Sequence, residues 1–175
     1  RAKSYAERLF EFVEIDRLDG PAARDALCVP AQREAVAFTE GAIQEIFAQT
    51  RGYPYFLQEW GKHSWNVADS TPIDRDDAVR ATDEALAELD ASFFRVRFDR
   101  LTPAEKAYMR AMADLGPGPH RSGDIADRLD RKVTTVAPVR NALITKGMLY
   151  SPAHGDTAFT VPLFDGFMQR IMPVG

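Results

Sequence analysis

The chain has 175 residues, 45% apolar and 27% charged, which is a globular composition sized for one ordinary domain or two small ones. Its net charge of −4 is too small for an acidic tail, no apolar run is long enough to span a membrane, and no basic-then-apolar leader opens the chain. The single cysteine, Cys28, cannot pair within the chain, so a reducing cytoplasm is expected; three scattered histidines speak against a first-row metal site.

In chain order, Phe10-Glu11-Phe12-Val13-Glu14-Ile15 alternates as a β-strand does, and a lone strand needs a larger sheet or helices to cover it. Asp19-Gly20-Pro21 is a turn that predicts a short helix through Leu27, closed by Pro30. Thr39 caps the next helix, with Phe38 placed to pack on Ile43 as a hydrophobic staple. Ile43, Ile46 and Phe47 form its stripe, and Gly52 stops it by accepting a left-handed conformation. Pro54 fits a first helical turn, followed by Phe56 and by Leu57, Trp60 and Ser64 at helical spacing. Asp74, with Asp77 three residues on, predicts a capped helix burying Val79, Leu86, Leu89 and Phe93.

Charge changes along the chain. Residues 1–99 hold 12 Lys and Arg against 19 Asp and Glu, and residues 100–175 hold 10 against 7, so the net charge steps from −7 to +3. Such a step fits two modules with different partners, and the boundary is expected near Asp99–Leu101. The expected division is a terminal strand or linker over 1–15, a small helical domain over 16–98 and a second module over 99–175.

That module opens on Thr102-Pro103-Ala104-Glu105, a capping box with proline in the first turn. Ala104, Ala107, Tyr108, Ala111, Met112 and Leu115 trace its expected buried face. After Gly116-Pro117-Gly118-Pro119 comes a short helix carrying Ile125, Ala126 and Leu129. A third helix follows from Thr134 or Thr135, tolerating Pro138 early and turning Val136, Val139 and Leu143 inward. Gly147 ends it. Met148–Ser151 and Thr157–Val161 read as strands joined around His154-Gly155-Asp156, and a last helix spans Leu163–Ile171. Three helices and a hairpin in this order are those of a winged helix-turn-helix, so the fold class is mainly α with a small β-hairpin wing.

The candidate DNA-binding residues are Arg121, Arg128, Arg131, Lys132, Arg140, Lys146 and the wing's His154. Arg131 and Lys132 precede the reading helix, where phosphate contacts would position it, and Arg140 could reach a base edge or another phosphate. A second reading stays open: these are solvated charges on a winged helix that docks protein. Catalysis has little to stand on. No Gly-x-x-x-x-Gly-Lys-Ser/Thr run exists, so this chain builds no phosphate loop, and adjacent His63 and Ser64 on a helix do not face each other. Trp60 and Trp65 read as core or interface anchors, Cys28 as a small hydrophobe, and Asp74, Asp76 and Asp77 as a favourable acidic first turn.

The run Arg51-Gly52-Tyr53-Pro54-Tyr55-Phe56-Leu57-Gln58-Glu59 resembles the lid of the archaeal-type, origin-recognition-like branch of AAA+ ATPases. Phe12–Leu18 resembles the last strand of that family's nucleotide domain entering the lid, and Leu101–Arg170 the winged helix that follows in related bacterial ATP-binding proteins. The resemblance implies a non-catalytic C-terminal fragment, consistent with a start at Arg1 and no initiator Met. The phosphate loop and magnesium site would lie in a missing N-terminal nucleotide-binding domain, the fragment's first partner. ATP and Mg would then be cofactors of the larger protein and not of this chain. The resemblance puts the wall of the nucleotide site at Gly52, Tyr53 and Pro54. Tyr55 stands where the family carries a sensor arginine, and Gln58 or Lys62 would have to stand in for it. The partners it implies are double-stranded DNA or a protein, with no membrane.

Overall fold

The computed structural model describes residues 17–173. The strand expected at Phe10–Ile15, and with it the whole 1–15 segment, lies outside the described residues. The chain divides into two compact units, Arg1–Val79 and Arg80–Gly175.

In the first unit, helix α1 (Gly20–Arg33) starts on Asp19, whose carboxylate accepts from the Ala22 amide at 2.8 Å. It does not stop before Pro30, as expected, but carries that proline inside and continues to Arg33. Helix α2 (Glu40–Thr50) has Thr39 as its cap, the hydroxyl accepting from the Ala42 amide at 3.3 Å. The backbone of Phe38 bridges that of Ile73, and the Thr39 amide donates to the Ile73 carbonyl at 2.9 Å. Arg51 and Gly52 both take left-handed conformations, so the reversal after α2 uses two residues where one was expected. Helix α3 (Pro54–Val67) buries Phe56, Leu57, Trp60, His63 and Ser64. Together with Leu27, Ile43, Ile46 and Ile73 these make the core of the unit.

Helix α4 (Arg75–Leu89) is opened by a reciprocal pair: the Asp77 amide donates to Asp74 Oδ1 and the Asp74 amide to Asp77 Oδ2, both at 3.0 Å. Its buried positions are Ala78, Ala81, Ala85 and Leu89, while Val79 is exposed and Leu86 and Phe93 are half-buried. The expected stripe followed the large apolar side chains, but the alanines pack inward. A π-helical turn over Asp90–Phe94 then shifts the phase by one residue and buries Phe94 instead of Phe93.

The second unit continues through helix α5 (Arg95–Phe98) into α6 (Pro103–Asp114), which carries the complete Thr102–Glu105 capping box. Phe94 and Phe98 pack on Phe167, at ring-centroid distances of 5.3 and 5.7 Å, and Phe94 also meets Phe164. Residues 90–98 thus belong to the compact unit that starts at Arg80, ahead of the boundary anticipated near Asp99. The inward face of α6 is Glu105, Tyr108, Met109, Ala111, Met112 and Ala113, whereas Ala104, Ala107 and Leu115 face outward.

Strand β1 (His120–Arg121) leads into α7 (Ser122–Arg128) and α8 (Val133–Thr145), and then β2 (Leu149–Tyr150), β3 (Asp156–Phe159) and α9 (Phe164–Ile171). The sheet is antiparallel in the order β1-β3-β2, with His120 opposite Thr157 and Leu149 opposite Phe159. Its first strand is only two residues long, too short for an alternating pattern to announce it. The second unit is a winged helix: α6, α7 and α8 with a small sheet as wing.

Candidate nucleic-acid interface

The helix-turn-helix pair sets the geometry. Helix α7 buries Ile125 and Ala126 and ends in a turn where Asp130 is left-handed and the Arg131 amide donates to the Ala126 carbonyl at 2.9 Å. Helix α8 begins at Val133 with Lys132 as its N-cap, and turns Val136 and Leu143 inward with Val139 half-buried. Its exposed positions are Val133, Thr134, Thr135, Pro138, Asn141 and Thr145, and not one is charged. The outward face of α8 therefore repels neither phosphates nor base edges. It offers hydroxyl and amide groups of the kinds that pair with bases in a major groove.

The seven predicted DNA-binding residues separate into three groups. Arg131 and Lys132 are exposed at the turn before α8, around a shallow depression shared with Asp127 and Asp130. Arg121 and His154 are exposed at the wing, with Arg121 opposite Asp156 in the sheet.

The third group is occupied within the fold. Arg128 Nη2 pairs with Asp114 Oδ2 at 2.8 Å, and the same carboxylate is held by Arg110. Lys146 Nζ donates to Glu105 Oε2 at 2.7 Å and to the Arg100 carbonyl at 3.2 Å. Glu105 is 4% exposed, and burial alone would raise its carboxyl; the hydrogen bonds from Lys146 and Thr102 outweigh that and hold it below the usual range.

Arg140 differs most from expectation. Its Nε donates to Thr157 Oγ1 at 2.7 Å, and its Nη2 to Ser151 Oγ and the Asp156 carbonyl, both at 2.9 Å. The guanidinium ties the middle of α8 to the wing. Beneath it lies the buried Tyr108 phenol, which burial pushes up against the opposing pull of Thr157 and Arg140. Ser122 fixes the other flank of the wing, its amide and hydroxyl donating to the Gly155 carbonyl at 2.9 and 3.0 Å. The residues that sequence reasoning passed over are Thr134, Thr135 and Asn141. Their signal was a run of uncharged polar positions on the outer face of a helix flanked by cations.

Of the residues that the resemblance assigns to a nucleotide site, Gly52, Tyr53, Pro54 and Tyr55 run through the corner into α3, and Gln58 and Lys62 follow along that helix. Gly52 is buried with φ +72, and its surroundings are closed by Leu18, whose N–H donates to the Gly52 carbonyl at 2.8 Å. Tyr53 is the N-cap of α3 and its ring packs on Phe56, Pro54 is the first helical residue, and Tyr55 is 43% exposed. Gln58 and Lys62 lie further along α3 and line a groove of about 490 Å³ against α1, with Pro30, Ala31, Phe38 and Trp65. Gln58 donates to the Ala26 carbonyl, and Lys62 lies 3.4 Å from Glu59. Among the described residues no group of three or more His, Cys, Asp and Glu could hold a metal ion, and no helix is long and apolar enough to cross a membrane.

Residues 91–168 match a family described as a domain of unknown function (DUF8462). The chain is 25% identical over 131 residues to an uncharacterized HTH-type transcriptional regulator of Methanocaldococcus jannaschii, covering 75% of this chain and 32% of that protein. Among solved structures, the Thermotoga maritima RuvB Holliday junction branch migration motor aligns with a TM-score of 0.41 and 15% identity, over 93% of this chain and 52% of that one. A variant of the same protein gives 0.44 and 15%, over 98% and 55%. Likeness at that level carries no functional argument. The chain thus spans about a third of the curated relative and about half of these solved chains.

Proposed function

We propose that the second unit binds double-stranded DNA, with α8 in the major groove and Arg131 and Lys132 on the phosphates at its N-terminal end. The observation that carries this reading is the exposed face of α8, which has no charge along its length and two exposed cations at its start. Phosphate contacts position such a helix, and Thr134, Thr135 and Asn141 supply the groups that read bases. Arg121 and His154 extend the contact from the wing, while Arg140 braces the wing against α8 and Arg128 is paired with Asp114. The relative described as an HTH-type transcriptional regulator supports the same reading.

In this proposal the chain is the lid and winged helix of a larger AAA+ protein of the origin-recognition-like branch. The support is the Gly52-Tyr53-Pro54 entry into α3 in a helical unit that precedes a winged helix. ATP and Mg would be held by the nucleotide-binding domain of that protein, and this chain would contribute no catalysis. A second reading has one observation behind it. Val133 and Tyr150 are 45% and 47% exposed, so the helix and the wing each present an apolar side chain that a protein partner could cover.

The test is amide chemical-shift mapping of the chain with a short duplex. The DNA reading expects shifts over Arg131–Asn141 and at the wing tip. Shifts confined to the first unit, or none, would contradict it, and shifts at Val133 and Tyr150 with a protein but not with DNA would favour docking.

A further inference from the structure

A second group of cations in this unit gathers beyond the C-terminal end of α8. A cleft of about 610 Å³ is lined by Val96, Arg97, Arg100, Leu101, Lys146 and Met148. Two carboxylates near this cleft are already matched, Glu105 by Lys146 and Asp99 by Arg95 at 3.1 Å. Among the described residues, no carboxylate forms an ion pair with Arg97 or Arg100.

The Arg97 and Lys146 side chains are held in place before any ligand arrives. The Arg97 guanidinium lies 3.6 Å from the centre of the Phe93 ring, and its Nη1 donates to the Phe93 carbonyl at 2.8 Å. That fixes the planar fork while using one of its five donors. Lys146 uses two of its three N–H groups, on Glu105 and on the Arg100 carbonyl, so it anchors the residue beside it and keeps one donor. Val96, Leu101 and Met148 add an apolar shelf. Forked cations beside an apolar surface match a sugar–phosphate unit, in which phosphate oxygens take paired N–H bonds and the sugar ring needs no polar partner.

The position of the cleft points to the same ligand. Lys146 directly follows α8, and Arg131 and Lys132 directly precede it. Thirteen helical residues separate these ends by about 20 Å. Cations therefore stand at both ends of a helix whose exposed face is uncharged, as suits a helix in a groove with a phosphate backbone on either rim.

We propose that the cleft of Arg97, Arg100 and Lys146 binds a backbone phosphate of the duplex whose major groove receives α8. This inference rests on the DNA-binding reading above and adds a contact that the reading does not require.

The experiment is a fluorescence-anisotropy titration of the chain with duplex DNA across a range of salt, for the wild type and for Arg97→Gln, Arg100→Gln and the double variant. Each lost phosphate contact lowers the slope of log affinity against log salt by about 0.9. The expected result is therefore a slope reduced by about one in each single variant and about two in the double, with affinity about 3- to 10-fold weaker per arginine near 50 mM salt. The loss should be the same on duplexes of different sequence, because phosphates carry no sequence. Arg100 is exposed, so Arg100→Gln keeps the test decisive should Arg97→Gln melt early. An unchanged slope in Arg100→Gln overturns this inference and leaves the DNA-binding reading standing. A loss confined to one sequence overturns it too. Failure of the wild type to bind any duplex removes the reading beneath it, and this inference with it.

Discussion

Gln58 Nε2 donates to the main-chain carbonyl of Ala26 at 3.3 Å, and that carbonyl is the one Pro30 leaves without a donor inside α1. A proline four residues on removes the helical hydrogen bond and crowds the oxygen. The neighbouring helix supplies the replacement. This explains why α1 runs through Pro30 to Arg33, and it gives Gln58 a structural task. The helices are close here as well, since a Cβ added to Gly61 would lie 2.9 Å from Leu27 Cδ2.

Gln58→Ala should therefore cost about 1 kcal/mol in the wild-type background, the usual net value of one hydrogen bond. In a Pro30→Ala background, where the amide gained at that position would serve the same oxygen, the cost should fall by about half or more. A double-mutant cycle in urea measures the coupling, and equal costs in both backgrounds would refute the assignment.

Gly52 admits no side chain. Its φ of +72 strains any other residue, and a Cβ would lie 2.2 Å from the Leu18 carbonyl oxygen. Gly52→Ala should destabilise the first unit by about 2–3 kcal/mol, the left-handed penalty plus displacement of a buried backbone contact. Thermal denaturation checks it; a shift no larger than that of an exposed Ala substitution would contradict the geometry.

Arg140 is a positioning residue. Arg140→Ala should loosen the wing, seen as faster amide exchange at Thr157 and Ala158, and should weaken DNA binding without changing its salt slope. A direct phosphate contact would instead lower the slope by about one. A reduced slope would thus return Arg140 to the interface.

The Glu105 carboxylate links the cap of α6 to the end of α8. Its folded value lies below the ordinary 4.5, so the stability it contributes is present above that pH and is lost as pH falls through the folded value. Glu105→Gln should flatten the acid limb of the stability–pH curve and cost about 1–2 kcal/mol at neutral pH, because Lys146 is part-exposed and can be rehydrated. An unchanged acid limb would show that the pair does not couple to folding.

Much of the fold was legible because its signals are local. The caps at Thr39, Asp74 and Thr102, Pro54 in a first turn and the strands around Gly155 each depend on neighbours within a few residues. The inward faces were harder to read. Ala78, Ala81 and Ala85 carry little hydrophobic signal, and on α6 Met109 is buried while Ala107 is exposed. The π-helical turn at Asp90–Phe94 changes phase with no compositional mark.

The site was legible by residue type and not by orientation. Sequence counts cations near a reading helix but does not show that Arg128, Arg140 and Lys146 are turned to Asp114, the wing and Glu105. Long-range partners decide how far each cation is already engaged, and Lys146 finds Glu105 across 41 residues of chain. The same cause hid the cleft, whose Arg97 falls outside the expected second module while Lys146 lies deep within it.

The most direct test of DNA binding is the affinity of the unmodified chain for duplex DNA at about 50 and about 200 mM salt, where a surface making several phosphate contacts loses affinity steeply. Micromolar or tighter binding is expected at the lower salt, weakening at least about tenfold at the higher. No binding at the lower salt, or binding that salt leaves unchanged, would contradict it.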